Sequence, residues 1–373
     1  MNILFIGPYR QADGWGEAAR SYLRALIRTT HNIAARPVYM GSTIHTPGPD
    51  ILDLEDIECS EYDVVIQNVL PHMLTRVEGA KNIGLFYLET KNIDWTPWPD
   101  ACSSMDEIWV SSVDECKVLE NAGVSVPVHS MPIPVDVDKY RSVDYTRFPL
   151  SKLDNHFNIY FIGEFIPRKN IHALLVAFHR EFTNDEPVNL VIKTYLGNMH
   201  PQVLLQQVNQ QFLDIKKILR IYPDPNMYRQ EIVVVDRLST EDLMGLHRAC
   251  QLFVMPSRGE ACCQPLLDAI GMGNRALVTE GTSMESIVHS CLNRGPYLIK
   301  AHETPVYSKQ APLPFIYTGR ETWMEVDLLN LQRRLRTHFN EWKKDPDKYW
   351  ADTVNRVDFL SYDSIAEKMR GVL

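Results

Sequence analysis

The segment MPSRGEACCQPLLDAIGMG fills residues 255–273 and joins a predicted buried strand to a predicted helix. Pro265 suits the first turn of that helix, so Glu260 lies in the loop before it and Asp268 lies within it. Both carboxylates can therefore face the crevice at the carboxyl ends of parallel strands, where open sheets bind ligands. Carboxylates accept hydrogen bonds from sugar hydroxyls, and the amides of a helix start favour an anion such as diphosphate. On spacing alone, a solvated loop residue and a helix surface charge explain the pair equally well.

Strand, loop and helix patterns recur along the chain in two series. The buried-strand candidates of the first series are residues 2–6, 64–66, 83–86 and 108–110. Those of the second series, which follows a proline-rich connection at 127–153, are residues 157–163, 189–192, 232–235 and 252–255. Apolar strands that alternate with helices predict parallel sheets covered on both faces. The sequence therefore predicts an α/β protein with two Rossmann-like domains that face each other.

The composition is that of a soluble globular protein, with 45% hydrophobic and 23% charged residues among 373. The net charge of -9 disfavours nucleic acid as a partner, because duplex-binding surfaces use Lys and Arg to neutralise phosphates, although a local basic patch stays open. Seven irregularly spaced cysteines indicate reduced thiols. The chain shows no basic secretory start and no apolar run near the roughly 20 residues of a membrane span. We therefore expect a cytoplasmic protein with at most peripheral membrane contact.

The segment 255–273 resembles the E-x7-E motif of retaining glycosyltransferase family 4, written S-x-G-E-G-F-G-x-P-x-x-E-A-x-x-x-G. The matching residues are Ser257, Gly259, Glu260, Pro265, Ala269 and Gly273, with Asp268 in place of the second Glu. Further resemblances to the family's motifs are spread over residues 107–112, 132–136, 162–178 and 360–362. The resemblance thus covers most of the chain. It implies a GT-B fold, which is two Rossmann-like domains facing across a deep cleft.

The family resemblance also implies a division of labour along the chain. Residues 1–150 would form the N-terminal acceptor-side domain, and residues 151–348 the C-terminal domain that binds the nucleotide sugar. Residues 349–373 would form helices that return to the N-terminal domain. In the family the first acidic residue contacts the transferred sugar and the second contacts the ribose, so the resemblance gives these roles to Glu260 and Asp268.

On the phosphate side, the family's Lys corresponds to Lys169 and its usual Arg is replaced by Glu164. A carboxylate there would repel a diphosphate, so we expect the neighbouring Arg168 to supply the missing charge. The strand glycine that precedes this position is Gly163. Backbone amides after Glu260 are further donor-binding candidates, although Ala261 and Cys263 replace the family's glycines there. The remaining candidates in that stretch are Cys262, Gln264 and Pro265.

In the first domain, Gly14 and Gly16 occupy the place of the family's glycine-rich loop, which approaches the donor phosphates. A simple tight turn explains the two glycines equally well. Many family members carry a catalytic His after the fourth or fifth strand. Here Glu89 follows the likely fifth strand, and His72 follows the preceding one, so both are candidates for that position.

The resemblance implies transfer of a sugar from a nucleotide-diphosphate donor to a hydroxyl, with retention at the anomeric carbon. The donor is a substrate, and we expect no metal and no other cofactor. Two alternatives stay open: a GT-B sugar-nucleotide epimerase, and a sugar-nucleotide-binding protein without catalysis. The acceptor cannot be read from the sequence, which leaves glycan, lipid, protein, small molecule or a modified nucleobase.

Overall fold

A computed structural model describes residues 1–41, 44–141, 145–292, 297–306, 317–351 and 357–373. Its first sheet is parallel throughout and has the strand order β2-β1-β3-β4-β5-β6. The strands are β1 (Asn2–Gly7), β2 (Asn32–Pro37), β3 (Val64–Asn68), β4 (Lys81–Phe86), β5 (Glu107–Val110) and β6 (Val128–Ser130). The helices are α1 (Gly14–Ile27), α2 (Pro49–Leu52), α3 (Trp98–Ser103), α4 (Val113–Asn121) and α5 (Asp138–Arg141).

Local sequence explains the start of α4, which follows strand β5 directly. Ser112 caps the helix by accepting a hydrogen bond from the backbone amide of Glu115, and the Glu115 side chain accepts one from the Ser112 amide in return. This reciprocal capping box satisfies amide groups that have no partner inside the helix. The local sequence thus sets the start of α4 at Val113.

The second sheet is also parallel and has the strand order β12-β11-β10-β7-β8-β9. Its strands are β7 (Phe157–Glu164), β8 (Val188–Tyr195), β9 (Ile232–Val234), β10 (Leu252–Met255), β11 (Arg275–Thr279) and β12 (Leu298–Ile299). The associated helices are α6 (Ile171–Glu181), α7 (Pro201–Leu219), α8 (Thr240–Ala249), α9 (Gln264–Gly271), α10 (Ser283–Cys291) and α11 (Leu328–Lys344). The central strands are buried on both faces, as expected for a sheet covered by helices.

An antiparallel hairpin follows the second sheet, formed by β13 (Ala301–Pro305) and β14 (Thr322–Val326). Sequence patterns did not predict it. Its two strands are short, and residues 307–316 between them lie outside the described ranges. The hairpin reaches the first domain, where the Lys91 amide donates to the Thr322 carbonyl.

The chain ends with α12 (Pro346–Ala351) and α13 (Tyr362–Arg370). Helix α13 packs against α1 of the first domain, where Asp363 lies 3.2 Å from the Arg28 side chain. Beyond α13, the Val372 carbonyl accepts a hydrogen bond from Lys81 of β4 at 2.9 Å. The end of the chain therefore lies on the first domain.

Two parallel, helix-covered sheets confirm the predicted α/β architecture. The boundaries predicted at residues 150 and 348 stay predictions, because the connection between the sheets contacts both of them. Met131 donates to the Val110 carbonyl of the first sheet, whereas Phe148 donates to the Gly245 carbonyl of α8. Within the described ranges, no helix is both long and apolar enough to cross a membrane.

Candidate active site

The two sheets turn the carboxyl ends of their strands toward a shared cleft. Open parallel sheets bind ligands at this edge. The predicted site residues that line the cleft are Glu260, Lys169, Arg168, Glu89, Gly14, Gly163, Ala261, Cys262, Cys263, Gln264 and Pro265. Asp268 and Gly16 are not among the lining residues. The structure thus brings residues from both domains together at one place.

Glu260 is the centre of an ion network that the sequence did not reveal. Its Oε1 accepts from Lys169 Nζ at 2.6 Å and from Arg168 Nη1 at 3.2 Å. Arg168 Nη1 also donates to the Gly259 carbonyl at 2.5 Å, and Arg168 Nη2 lies 2.8 Å from Glu89 Oε1. Arg168 therefore bridges a carboxylate of each domain.

Burial and charge oppose each other at this network. Burial raises the pKa of Glu260, but the charges of Lys169 and Arg168 outweigh it, so the pKa lies below its ordinary value. Burial lowers the pKa of Arg168, but the carboxylates of Glu89 and Glu260 raise it above its usual value. Glu260 is consequently ionised at neutral pH and can accept hydrogen bonds from sugar hydroxyls.

The loop after Glu260 manages without the family's glycines. Cys263 adopts the left-handed region with φ of 62° and precedes α9 as its N-cap residue. A side chain there costs free energy that glycine would not, because its Cβ crowds the backbone. Ala261 is anchored from the first domain, since Ser111 Oγ donates to its carbonyl at 2.9 Å. The chain therefore forms the predicted loop with larger residues.

Asp268 lies behind the cleft wall and contacts the connection between the domains. Its Oδ1 accepts from Tyr140 Oη at 2.7 Å and from Gln264 Nε2 at 3.2 Å, and Lys139 Nζ lies 2.8 Å away. Burial raises the pKa of Asp268, but the charges of Lys139 and His247 lower it more, so the net shift is downward. A ribose would have to compete with these partners, so the ribose role stays a prediction.

We expect the Asp268–Lys139 pair to stabilise the fold. Asp268→Asn should cost roughly 3 kcal/mol of unfolding free energy, because it leaves a largely buried ammonium without a charged partner. The double variant Asp268→Asn with Lys139→Met should recover about 1–3 kcal/mol of that loss. Urea denaturation of the four proteins measures the coupling. Strictly additive effects would show that the ion pair contributes nothing.

The structure separates the two candidates for the N-terminal catalytic position. Glu89 lines the cleft, and its Oε2 accepts from Tyr317 Oη at 3.2 Å. His72 is exposed on the single 3₁₀ turn Pro71–Met73 and does not line the cleft. Of the two, only Glu89 lines the cleft, and its catalytic role stays a prediction.

The glycines of the first domain serve different purposes. Gly14 lines the cleft, and an added Cβ there would meet open space. Gly16 packs against the preceding loop, where an added Cβ would lie 2.1 Å from the Gln11 carbonyl oxygen. Asp13 caps α1 by accepting from the Gly16 amide at 2.9 Å. Gly16 is therefore required by close packing, and its donor contact stays a prediction.

Sequence reasoning missed the role of Glu115, whose only signal was its place three residues after a capping Ser. The carboxylate is buried and accepts from the Leu88 amide at 2.7 Å and from Ser111 Oγ at 2.6 Å. Ser111 in turn holds Ala261 of the other domain. Burial raises the pKa of Glu115 from 4.5 to about 7, despite these hydrogen bonds.

This raised pKa predicts a pH-dependent stability. The folded state binds the Glu115 proton more tightly than the unfolded state does, so proton binding stabilises the fold. This stabilisation is complete below pH 4.5 and is lost as the pH rises through about 7. The unfolding free energy of Glu115→Gln minus that of the wild type should therefore rise by roughly 2–3 kcal/mol from about pH 5 to pH 8. Thermal unfolding across this range measures it, with Glu120→Gln on the exposed face of α4 as control. A constant difference would contradict the prediction.

Comparison with known proteins bears mainly on the fold. No model of a known protein family matches the chain. Serotype-specific mannosyltransferases named WbdA from Escherichia coli are 27% identical over 158 residues and 22% identical over 265 residues. The matches cover 40% and 61% of this chain. They cover 18% and 31% of the relatives, so the chain spans less than a third of their length.

Solved structures with a similar fold match this chain over its whole length. The alpha,alpha-trehalose-phosphate synthase (UDP-forming) from Burkholderia xenovorans, in complex with glucose-6-phosphate, has a TM-score of 0.66 at 10% identity. That match covers 100% of this chain and 99% of the other. Sucrose-phosphate synthase from Thermosynechococcus elongatus has a TM-score of 0.63 at 13% identity and covers 100% and 98%. Likeness at this level of identity concerns the fold alone. The chain has the GT-B fold, with two Rossmann-like domains on either side of a cleft.

Proposed function

We propose that this chain is a retaining glycosyltransferase of family 4, which moves a sugar from a nucleotide diphosphate to a hydroxyl. The observation that carries the proposal is Glu260, a buried and ionised carboxylate held by Lys169 and Arg168 at the cleft. An ionised carboxylate beside two cations can bind sugar hydroxyls and leave the cations to face phosphate oxygens. The E-x7-E resemblance around it supports the same assignment.

The charges of the cleft indicate how a diphosphate would be bound. Among the described lining residues, five are carboxylates and two are cations. Both cations, Arg168 and Lys169, already contact Glu260, so we propose that they are shared between that carboxylate and the donor phosphates. The amides at the start of α9 add a partial positive charge. Glu164 lines the cleft as well. Because its carboxylate would repel a diphosphate, the cations and amides would have to hold the diphosphate firmly in place.

Catalysis would rest on positioning and on stabilising the departing diphosphate. The nearby thiols do not suit covalent catalysis, since burial raises the pKa of Cys263 to about 12 and keeps the thiol neutral. Glu89 faces Arg168 across the cleft and would meet the sugar from the first domain. We further propose that transfer needs no metal ion.

The experiment is incubation with a panel of radiolabelled sugar nucleotides, in which GDP-mannose comes first because the relatives are named mannosyltransferases. Slow release of sugar in the absence of an acceptor, and transfer in its presence with EDTA, support the proposal. A product with the anomeric configuration of the donor supports retention. Isomerised sugar nucleotide would indicate an epimerase, and tight binding without turnover of any donor would indicate a binding protein.

A further inference from the structure

The hairpin of β13 and β14 belongs to the second domain but makes hydrogen bonds to a loop of the first. Its residue Thr322 accepts at its carbonyl from the Lys91 amide at 2.8 Å. The Thr322 amide donates to Asn92 Oδ1 at 2.8 Å, and the Thr322 hydroxyl oxygen lies 3.3 Å from the same atom. Nearby, the Arg320 guanidinium lies 4.2 Å from the centre of the Trp95 ring. Lys91 and Asn92 lie only two and three residues after Glu89 in the chain.

The same strand also holds the part of the second domain that carries Arg168. Two residues after Thr322, the Met324 amide donates to the Arg258 carbonyl at 2.8 Å. Glu325 Oε2 accepts from Arg258 Nε at 2.6 Å, and the Arg258 amide donates to the Arg168 carbonyl at 2.8 Å. Strand β14 therefore bonds to Lys91, which lies two residues after Glu89, and to Arg258, which itself bonds to Arg168.

The geometry of a strand explains how β14 can serve both loops. Backbone groups of successive residues point to opposite edges of a strand. Glu321 faces β13, because its carbonyl accepts from the Val306 amide, so Thr322 and Met324 present their groups at the other edge. These two residues are about 7 Å apart along the strand. Pairing with β13 fixes that spacing and hence the spacing of the two loops.

We infer that β14 is a clasp that positions Glu89 opposite Arg168 and Glu260, and that Asn92 is its main positioning residue in the first domain. The inference rests on the proposed function, because it assigns a catalytic use to the ion network. The donor is bound by the second domain in that proposal. Loss of the clasp should therefore lower the rate of transfer and leave donor affinity unchanged.

The test uses the full chain with three substitutions. Asn92→Ala removes the acceptor for the Thr322 amide, whereas Asn92→Asp keeps it. Asn226→Ala is the control, since this exposed residue lies in a separate loop, where its backbone and side-chain amides donate to Asp224. The readouts are kcat and KM with the sugar nucleotide that the wild type turns over, and hydrogen exchange of the Lys91 amide without any donor.

We expect Asn92→Ala to lower kcat by about 10- to 100-fold, with KM for the donor within about twofold of the wild type. Asn92→Asp should restore kcat to within about threefold, and the control should behave as the wild type. Exchange of the Lys91 amide should be at least about tenfold faster in Asn92→Ala than in the wild type.

Unchanged kcat in Asn92→Ala would overturn the inference, as would a loss of kcat that Asn92→Asp does not restore. A Lys91 amide that exchanges freely in the wild type would overturn it without any donor. If the wild type protects the Lys91 amide but transfers no sugar, the proposed function is contradicted. The clasp would then be an interdomain contact without a catalytic role.

Discussion

Glu260→Gln is expected to lower sugar transfer by about 10³-fold. The amide keeps the shape of the carboxylate but not its charge, so Lys169 and Arg168 lose the partner that orients them at 2.6 and 3.2 Å. A hydrogen bond between a sugar hydroxyl and a carboxylate is also stronger than one to a neutral amide. The rate should fall more than the donor affinity, because Lys169 and Arg168, the cations proposed to bind the donor phosphates, remain in the chain.

Steady-state rates with the preferred sugar nucleotide, together with donor binding by calorimetry, measure these effects separately. Glu241→Gln is the matched control, since it makes the same chemical change on the exposed first turn of α8. Transfer by Glu260→Gln within threefold of the wild type would remove Glu260 from the proposed site. Thermal unfolding of both variants shows whether a lost rate reflects a lost fold.

The architecture could be read from the sequence because buried parallel strands leave a strong local pattern. The run at 252–255 is entirely apolar and the run at 157–163 is interrupted only by Asn158, and the structure places strands β10 and β7 there. The hairpin of β13 and β14 escaped this reasoning. Its strands are partly exposed, and the contacts that hold it, such as those of Thr322, come from residues more than 200 positions away.

Several site residues were found by motif and others only by geometry. The motif gave Glu260 and Lys169, which do lie together at the cleft. It could not show that Arg168 contacts Glu89, because that distance depends on how two domains pack. Nor could it show that Asp268 meets Lys139, since residues of the connection carry no pattern that indicates their partners. Local sequence predicts elements, whereas contacts between domains require the three-dimensional arrangement.

Gly259→Ala is expected to lower transfer by about 100-fold, although it adds a single methyl group. Gly259 packs directly against the first domain, and an added Cβ would lie 1.8 Å from the Glu89 carbonyl oxygen and 2.9 Å from its carbonyl carbon. Real contacts of this kind need more than 3 Å, so the loop of Glu89 or that of Gly259 must move by more than 1 Å. A displacement of that size separates Glu89 from Arg168, which are only 2.8 Å apart.

The effect should be on geometry at the cleft, with a smaller cost of about 1–3 kcal/mol in stability from overpacking. Gly371→Ala is the control, because an added Cβ at that position reaches only ordinary contact distance, 3.5 Å from the Lys368 carbonyl oxygen. Rates, donor affinity and thermal unfolding of both variants are compared with the wild type. Normal transfer by Gly259→Ala would mean that the close approach of Glu89 to this loop is not needed in the reacting enzyme. The ion pair between the domains would then belong to a resting arrangement, and Glu260 would act with the cations of its own domain alone.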